Sequence, residues 1–210
     1  MGRPHRVFIS GVTEHLTQRG TNRITVFEDA ADFAWFLCRF KHAARLNGVS
    51  VHGYALMTNH IHLIVTGSYA SAIPAMMRDL CGSYTRHFNR RHERIGHLWN
   101  GRYYPKAIGD ESYWLTCLRY IEQNPVRAKM VATPDDYRWS SYAAHARGKW
   151  PDWLVPHPVY LALGHTDAER QRRYREICGQ PLDTEQLAIV RCTIPVGSSV
   201  TRCEALLGAE

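Results

Sequence analysis

Apolar residues recur along the first two thirds of the chain with two different spacings. Phe33, Phe36, Leu37, Phe40 and Ala44 fall three or four apart, which predicts a helix over about 29–46. Asp29 or Asp32 would cap that helix, and Asn47-Gly48 would close it. Ile73, Met76, Met77, Leu80, Tyr84 and Phe88 trace a second helical stripe. Trp114, Leu115, Leu118 and Ile121 mark a third over 110–123, begun at Asp110 and ended by Pro125. Between the first two, VSVHGYALM at 49–57 and HIHLIV at 60–65 have strand character and form a hairpin through Thr58-Asn59. EHLTQR at 14–19 reads as a short strand entering a turn at Gly20, and LWNGRYYPKAI at 98–108 as extended chain.

The resulting order is strand, helix, strand, strand, helix, strand, helix. It predicts an α+β fold in which one antiparallel sheet carries helices on one face. Beyond about Trp139 the periodicity weakens. Residues 1–145 are expected to form the main domain and 146–210 a C-terminal accessory region, in which DAERQRRYREIC at 167–178 has helical character.

A 210-residue chain that is 45% apolar and 11% aromatic can bury a real core, which excludes a disordered protein. The start, MGRPHRVFISG, lacks a long apolar stretch and a small-residue cleavage pattern. The apolar run through Ile61, Leu63, Ile64 and Val65 is far below membrane-spanning length. The six cysteines, Cys38, Cys81, Cys117, Cys178, Cys192 and Cys203, contain no CxxC pair, and they read as reduced thiols of an intracellular protein. A cytoplasmic location is the expectation.

Charge sharpens the picture locally. The formal net charge of +7 suits a polyanionic partner only weakly. Residues 78–106, however, hold Arg78, Arg86, Arg90, Arg91, Arg94, Arg102 and Lys106 against Asp79 and Glu93, a local excess of +5. Tyr84, Trp99, Tyr103 and Tyr104 lie among them. Arginines that grip phosphates beside aromatics that stack bases suit single-stranded nucleic acid, although Tyr84 and Trp99 also suit a core. Arg19 joins the candidate backbone contacts, and Arg127 serves equally well as an anchor for the loop after Pro125.

The candidate chemistry begins at His60 and His62. On a strand, residues i and i+2 share a face, so two imidazoles stand side by side while Ile61 and Leu63 point to the core. Such a pair suits one divalent ion but needs a third ligand. Asn124 offers a side-chain oxygen four residues after Tyr120, on the same helical face. Taken singly, Tyr120 also reads as a core tyrosine and Asn124 as a helix terminator.

Several stretches together resemble the REP-associated tyrosine transposases, relatives of the IS200/IS605 transposases in the HUH superfamily. They are HLTQRG at 15–20, GYALMTNHIHLIVTG at 53–67, MRDLCGSYTRHFNRRH at 77–92, GHLWNGRYYPKAI at 96–108, YWLTCLRYIEQNPVRAKMV at 113–131 and YRWSSYAAH at 137–145. The resemblance implies a ferredoxin-like fold, His60 and His62 as metal ligands, Tyr120 as nucleophile and Asn124 as the polar residue completing the site. It further implies Mg²⁺ or Mn²⁺ as the ion, and single-stranded DNA with hairpin-forming palindromic repeats as the partner. One departure lies near the start, where Thr21 is inserted before Asn22 relative to the usual motif.

The expected activity is therefore metal-dependent cleavage and transfer of single-stranded DNA through a 5′-phosphotyrosine. Two other readings stay open: a hairpin-DNA-binding protein without activity, and a hydrolase that uses the histidine pair to activate water. Monomer and homodimer are both compatible with the sequence, since the Tyr120 helix can complete its own site or a partner's.

Overall fold

The computed structural model describes residues 9–191, so Cys192, Cys203 and the first eight residues lie outside it. Its elements are β1 (Thr13–Arg19), α1 (Ala30–Leu46), β2 (Val49–Met57), β3 (His60–Gly67), α2 (Ala72–Arg91), β4 (Tyr104–Ala107) and α3 (Glu111–Glu122). There follow the one-turn α4 (Asn124–Arg127), α5 (Tyr142–Arg147), α6 (Pro158–Leu161), α7 (Asp167–Gly179) and α8 (Thr184–Arg191). The strands pair antiparallel throughout in the order β2-β3-β1-β4. The α+β antiparallel class is the one the sequence implied.

Alternation along the strands divides the sheet into two faces. Leu16, Val51, Leu56, Ile61, Leu63 and Val65 meet the stripes of α1 and α2, including Phe36, Phe40, Met76 and Tyr84. Local chemistry starts and anchors these helices. Asp29 caps α1 by accepting from the Ala31 and Asp32 amides at 2.9 and 3.2 Å. Asp32, fully buried, accepts from the Arg91 guanidinium at 2.5 Å and faces His92 at 2.9 Å, tying the end of α2 to the start of α1.

The opposite face carries Ala55 and Ile64, and against them lie Trp114, Cys117, Leu118 and Ile121 of α3. Asp110 caps α3 through the Tyr113 amide at 2.7 Å. Tyr142, Tyr160, Tyr174 and Cys178 of the C-terminal helices close this second core. Helical cover thus extends to both faces rather than one, because the stripe on α3 needs an apolar partner and the outer face of β2 and β3 supplies it.

Two other expectations change in detail. Of the extended stretch 98–108, only Tyr104–Ala107 pairs as a strand. The boundary expected after residue 145 falls inside α5, whose Tyr142, Ala144, His145 and Ala146 are buried. Among the described residues Cys38, Cys81, Cys117 and Cys178 are free thiols, and no helix is long and apolar enough to cross a membrane.

A candidate catalytic centre between the sheet and α3

The centre forms where β3 begins and β1 ends. His60 pairs in register with Arg19 and Met57, and His62 with Thr17 and Ala55. Because Ile61 and Leu63 face α1 and α2, both imidazoles face α3. Their ring centroids are 4.9 Å apart with planes at 85°. The Tyr120 ring of α3 stands over this pair, 5.8 Å from His62 and perpendicular to it, and 6.4 Å from His15. The structure therefore brings together His60, His62 and Tyr120.

Each imidazole is held through Nδ1. That of His60 lies 2.6 Å from Asn59 Oδ1. That of His62 lies 2.9 Å from His15 Nε2 and 3.2 Å from Thr17 Oγ1. Burial, reinforced by the Arg19 cation, pushes the His60 pKa down to about 4. Burial holds His62 well below the ordinary range, with His15, His60, Arg127 and Arg19 adding to the effect. His15 is pushed down to about 4 by burial and then by Lys106. At neutral pH all three rings are neutral.

Asn124 lies just past the end of α3, where Pro125, lacking an amide hydrogen, interrupts the backbone ladder. Arg127 bridges the interruption: its guanidinium donates to the Tyr120 carbonyl and, at 2.6 Å, to Asn124 Oδ1. The same guanidinium sits 4.3 Å from the centroid of the Tyr120 ring. It holds the Tyr120 backbone through a hydrogen bond and the ring through a cation–π contact.

These residues fit a divalent ion by their donor chemistry. Neutral imidazoles are good ligands when the other ring nitrogen is hydrogen-bonded, and both Nδ1 atoms here are engaged. An amide oxygen has two lone pairs, and the bond from Arg127 leaves Asn124 Oδ1 one for a ligand role. Among the described residues no group of three or more His, Cys, Asp and Glu side chains is arranged to hold a metal. A site here would consist of two imidazoles and an amide.

The basic residues divide. Arg78, Arg86 and Arg90 are exposed along α2, Arg102 is exposed before β4, and Arg19 is exposed beside His60. Arg94 is half-buried over the Phe88 ring. Arg91 is engaged by Asp29 and Asp32 at 2.6 and 2.5 Å, which takes its charge out of the group available to phosphate. The Lys106 ammonium meets the Ile189 carbonyl of α8 and the Tyr113 ring of α3. Tyr84 and Trp99 are core residues, hydrogen-bonded to the Val26 and Cys81 carbonyls.

Sequence reasoning did not single out His15 or Asn59, and it left Arg127 between two roles. His15 is two positions from Thr17 on a strand paired with β3, so alternation alone places both on the face of His60 and His62. Nothing in the sequence marks the turn residue Asn59 as a partner of His60.

Comparison with known proteins follows the same lines. Residues 9–124 match the family described as Transposase IS200 like. No match was found among curated proteins. Among solved structures, a REP-associated tyrosine transposase bound to a REP hairpin is similar at a TM-score of 0.59 and 19% identity, covering 75% of this chain and 93% of its own. A putative transposase from Deinococcus radiodurans is similar at a TM-score of 0.40 and 18% identity, covering 61% of this chain and 92% of its own. The first of these shows a shared fold.

Proposed function

The chain belongs to the IS200-like transposase family, and we propose that it nicks and rejoins single-stranded DNA at hairpin-forming palindromic repeats through a phosphotyrosine at Tyr120. The observation that carries this reading is the Tyr120 ring standing 5.8 Å from His62, over a pair of neutral imidazoles. The hairpin enters because the structurally similar transposase is bound to one.

In the proposed reaction the Tyr120 phenolic oxygen attacks phosphorus and gives up its proton. The bond from phosphorus to the 3′-oxygen breaks, and that oxygen takes up a proton. A 5′-phosphotyrosine and a free 3′-hydroxyl remain. The covalent link conserves the phosphodiester, so a 3′-hydroxyl from another strand can attack it and release Tyr120. Water has no required part.

A divalent ion, Mg²⁺ or Mn²⁺, held by His60, His62 and Asn124 would supply positive charge to the non-bridging oxygens as negative charge builds there. Neutral ligands leave that charge undiminished. The protein's own contribution is placement. Arg127 holds the Tyr120 ring and the Asn124 side chain in place. Arg19, Arg78, Arg86, Arg90, Arg94 and Arg102 offer a basic surface for the DNA backbone, which sets affinity and register rather than sequence.

The test incubates the full chain with Mn²⁺ and labelled single-stranded oligonucleotides carrying candidate hairpin repeats. A denaturation-resistant protein–DNA adduct is expected, and Tyr120→Phe abolishes it while hairpin binding persists. Cleavage that survives Tyr120→Phe would point instead to water activation by the histidine pair, and binding without cleavage to a non-catalytic hairpin reader.

A further inference from the structure

The turn between β2 and β3 is packed against the loop that follows β1. The Gly20 amide donates to the Asn59 carbonyl at 2.9 Å, and the Val26 amide to that of Thr58 at 2.8 Å. In the loop itself two consecutive non-glycine residues are left-handed, Asn22 at φ 51° and Arg23 at φ 62°. That conformation is unfavourable for L-residues and persists only where surrounding contacts impose it. It is also where the sequence departs from the usual motif, with Thr21 inserted.

The left-handed turn presents the Arg23 carbonyl to the Asn59 side chain. Asn59 Nδ2 donates to that oxygen at 3.2 Å. A carbonyl can only accept, so the amide orientation is set by the partner rather than arbitrary. The other end of the amide, Oδ1, then faces His60 Nδ1 at 2.6 Å. Since Oδ1 also only accepts, His60 Nδ1 must carry the hydrogen. In a neutral imidazole this leaves the lone pair on Nε2.

We infer that Asn59 is a positioning residue: held by the left-handed Asn22–Arg23 turn, it locks His60 as the Nδ1–H tautomer and so reserves Nε2 for a ligand. The assignment extends the proposed metal site, because it makes ligand competence of His60 depend on a loop that contains no ligand. Outer-shell partners of this kind typically change metal affinity by roughly 10–100-fold when removed.

The experiment has a metal-free arm and a metal arm, both on the full chain. Side-chain ¹⁵N NMR of the metal-free protein is expected to show His60 protonated at Nδ1 and bare at Nε2. Asn59→Ala should mix or invert the tautomers and weaken Mn²⁺ binding, read by electron paramagnetic resonance, by roughly 10–100-fold. Asn59→Asp keeps an acceptor for His60 Nδ1 but has no hydrogen to give the Arg23 carbonyl, so it should recover both signals only in part. A native His60 protonated at Nε2 overturns the inference without any variant, and so does an Asn59→Ala protein with unchanged tautomer and unchanged Mn²⁺ affinity. A native protein with the assigned tautomer and bound Mn²⁺ that forms no DNA adduct leaves the inference standing and removes the strand-transfer reading.

Discussion

Arg127 links three parts of the centre with one guanidinium: the backbone of the proposed nucleophile Tyr120, its ring and the proposed amide ligand. A planar fork can satisfy the Tyr120 carbonyl and Asn124 Oδ1 while lying on the ring, and an ammonium cannot do all three. Arg127→Ala is therefore expected to slow single-turnover adduct formation by on the order of 100-fold, the scale of a misplaced reacting group, while hairpin affinity stays close to native. Arg127→Lys should recover little of the rate. An equal loss of hairpin binding would instead make Arg127 a backbone contact of the DNA. Arg91 shows the opposite lesson at the same scale. By composition it belongs to the basic patch, yet its partners Asp29 and Asp32 lie some sixty residues earlier in the chain, and no local pattern reveals them.

At the scale of elements, the position of α3 depends on how closely it approaches the sheet. Gly53 sits at the register shift in β2, and a Cβ added there would lie 2.7 Å from Leu118 Cδ1. Leu118 is fully buried in the cluster of Trp114, Cys117 and Ile121, so its shift would disturb that packing. Gly53→Ala is expected to destabilise the fold by about 1–3 kcal/mol, the usual effect of overpacking, and to lower adduct yield by lifting the helix that bears Tyr120. Denaturant unfolding and adduct assays on one preparation check both, and unchanged stability would mean that α3 accommodates the methyl group. The elements around this contact were legible in sequence because their signals are local: three helical stripes, two aspartate caps and the alternation that puts His60 and His62 on one face. What was not legible depends on pairs distant in sequence. The face that α3 covers, the shortness of β4 and the partnership of Asn59 with Arg23 come from packing between separate segments.

For the whole molecule, the C-terminal helices complete the core in which α3 lies. Glu122 of α3 is fully buried, and its carboxylate accepts from Ser141 Oγ at 2.5 Å and Tyr174 Oη at 2.6 Å, with His145 Nδ1 at 2.9 Å. A second polar chain runs beneath the start of α3. His157 Nδ1 accepts from the Val159 amide at 3.2 Å, so its Nε2 hydrogen points to Thr13 Oγ1 at 3.1 Å. Thr13 and Thr66 hydroxyls are 2.8 Å apart, Thr66 meets His52 Nε2 at 2.9 Å, and His52 Nδ1 donates to the Val155 carbonyl at 2.9 Å. Val159 requires an unprotonated His157 Nδ1, and with His52 neutral as well the directions agree along the whole chain.

Burial, followed by the influence of His52, pushes His157 down to about 4, and its ring is stacked 4.5 Å from that of Trp114 in α3. Burial also lowers His52. Since the unfolded chain takes up the His157 proton near pH 6.5 and the folded chain only near pH 4, stability is retained above pH 6.5 and falls as pH drops toward 4, and the lowered His52 acts in the same direction. Each proton bound in excess by the unfolded state contributes a slope of at most about 1.4 kcal/mol per pH unit. His157→Asn keeps an acceptor for the Val159 amide but has no proton to gain. Its stability at pH 7.5 should fall through the lost Thr13 and Trp114 contacts, while its decline between pH 6.5 and 4.5 should be shallower than in the native chain. Parallel acid profiles for the two proteins in thermal unfolding would mean that His157 takes up its proton in the folded state as readily as in the unfolded one.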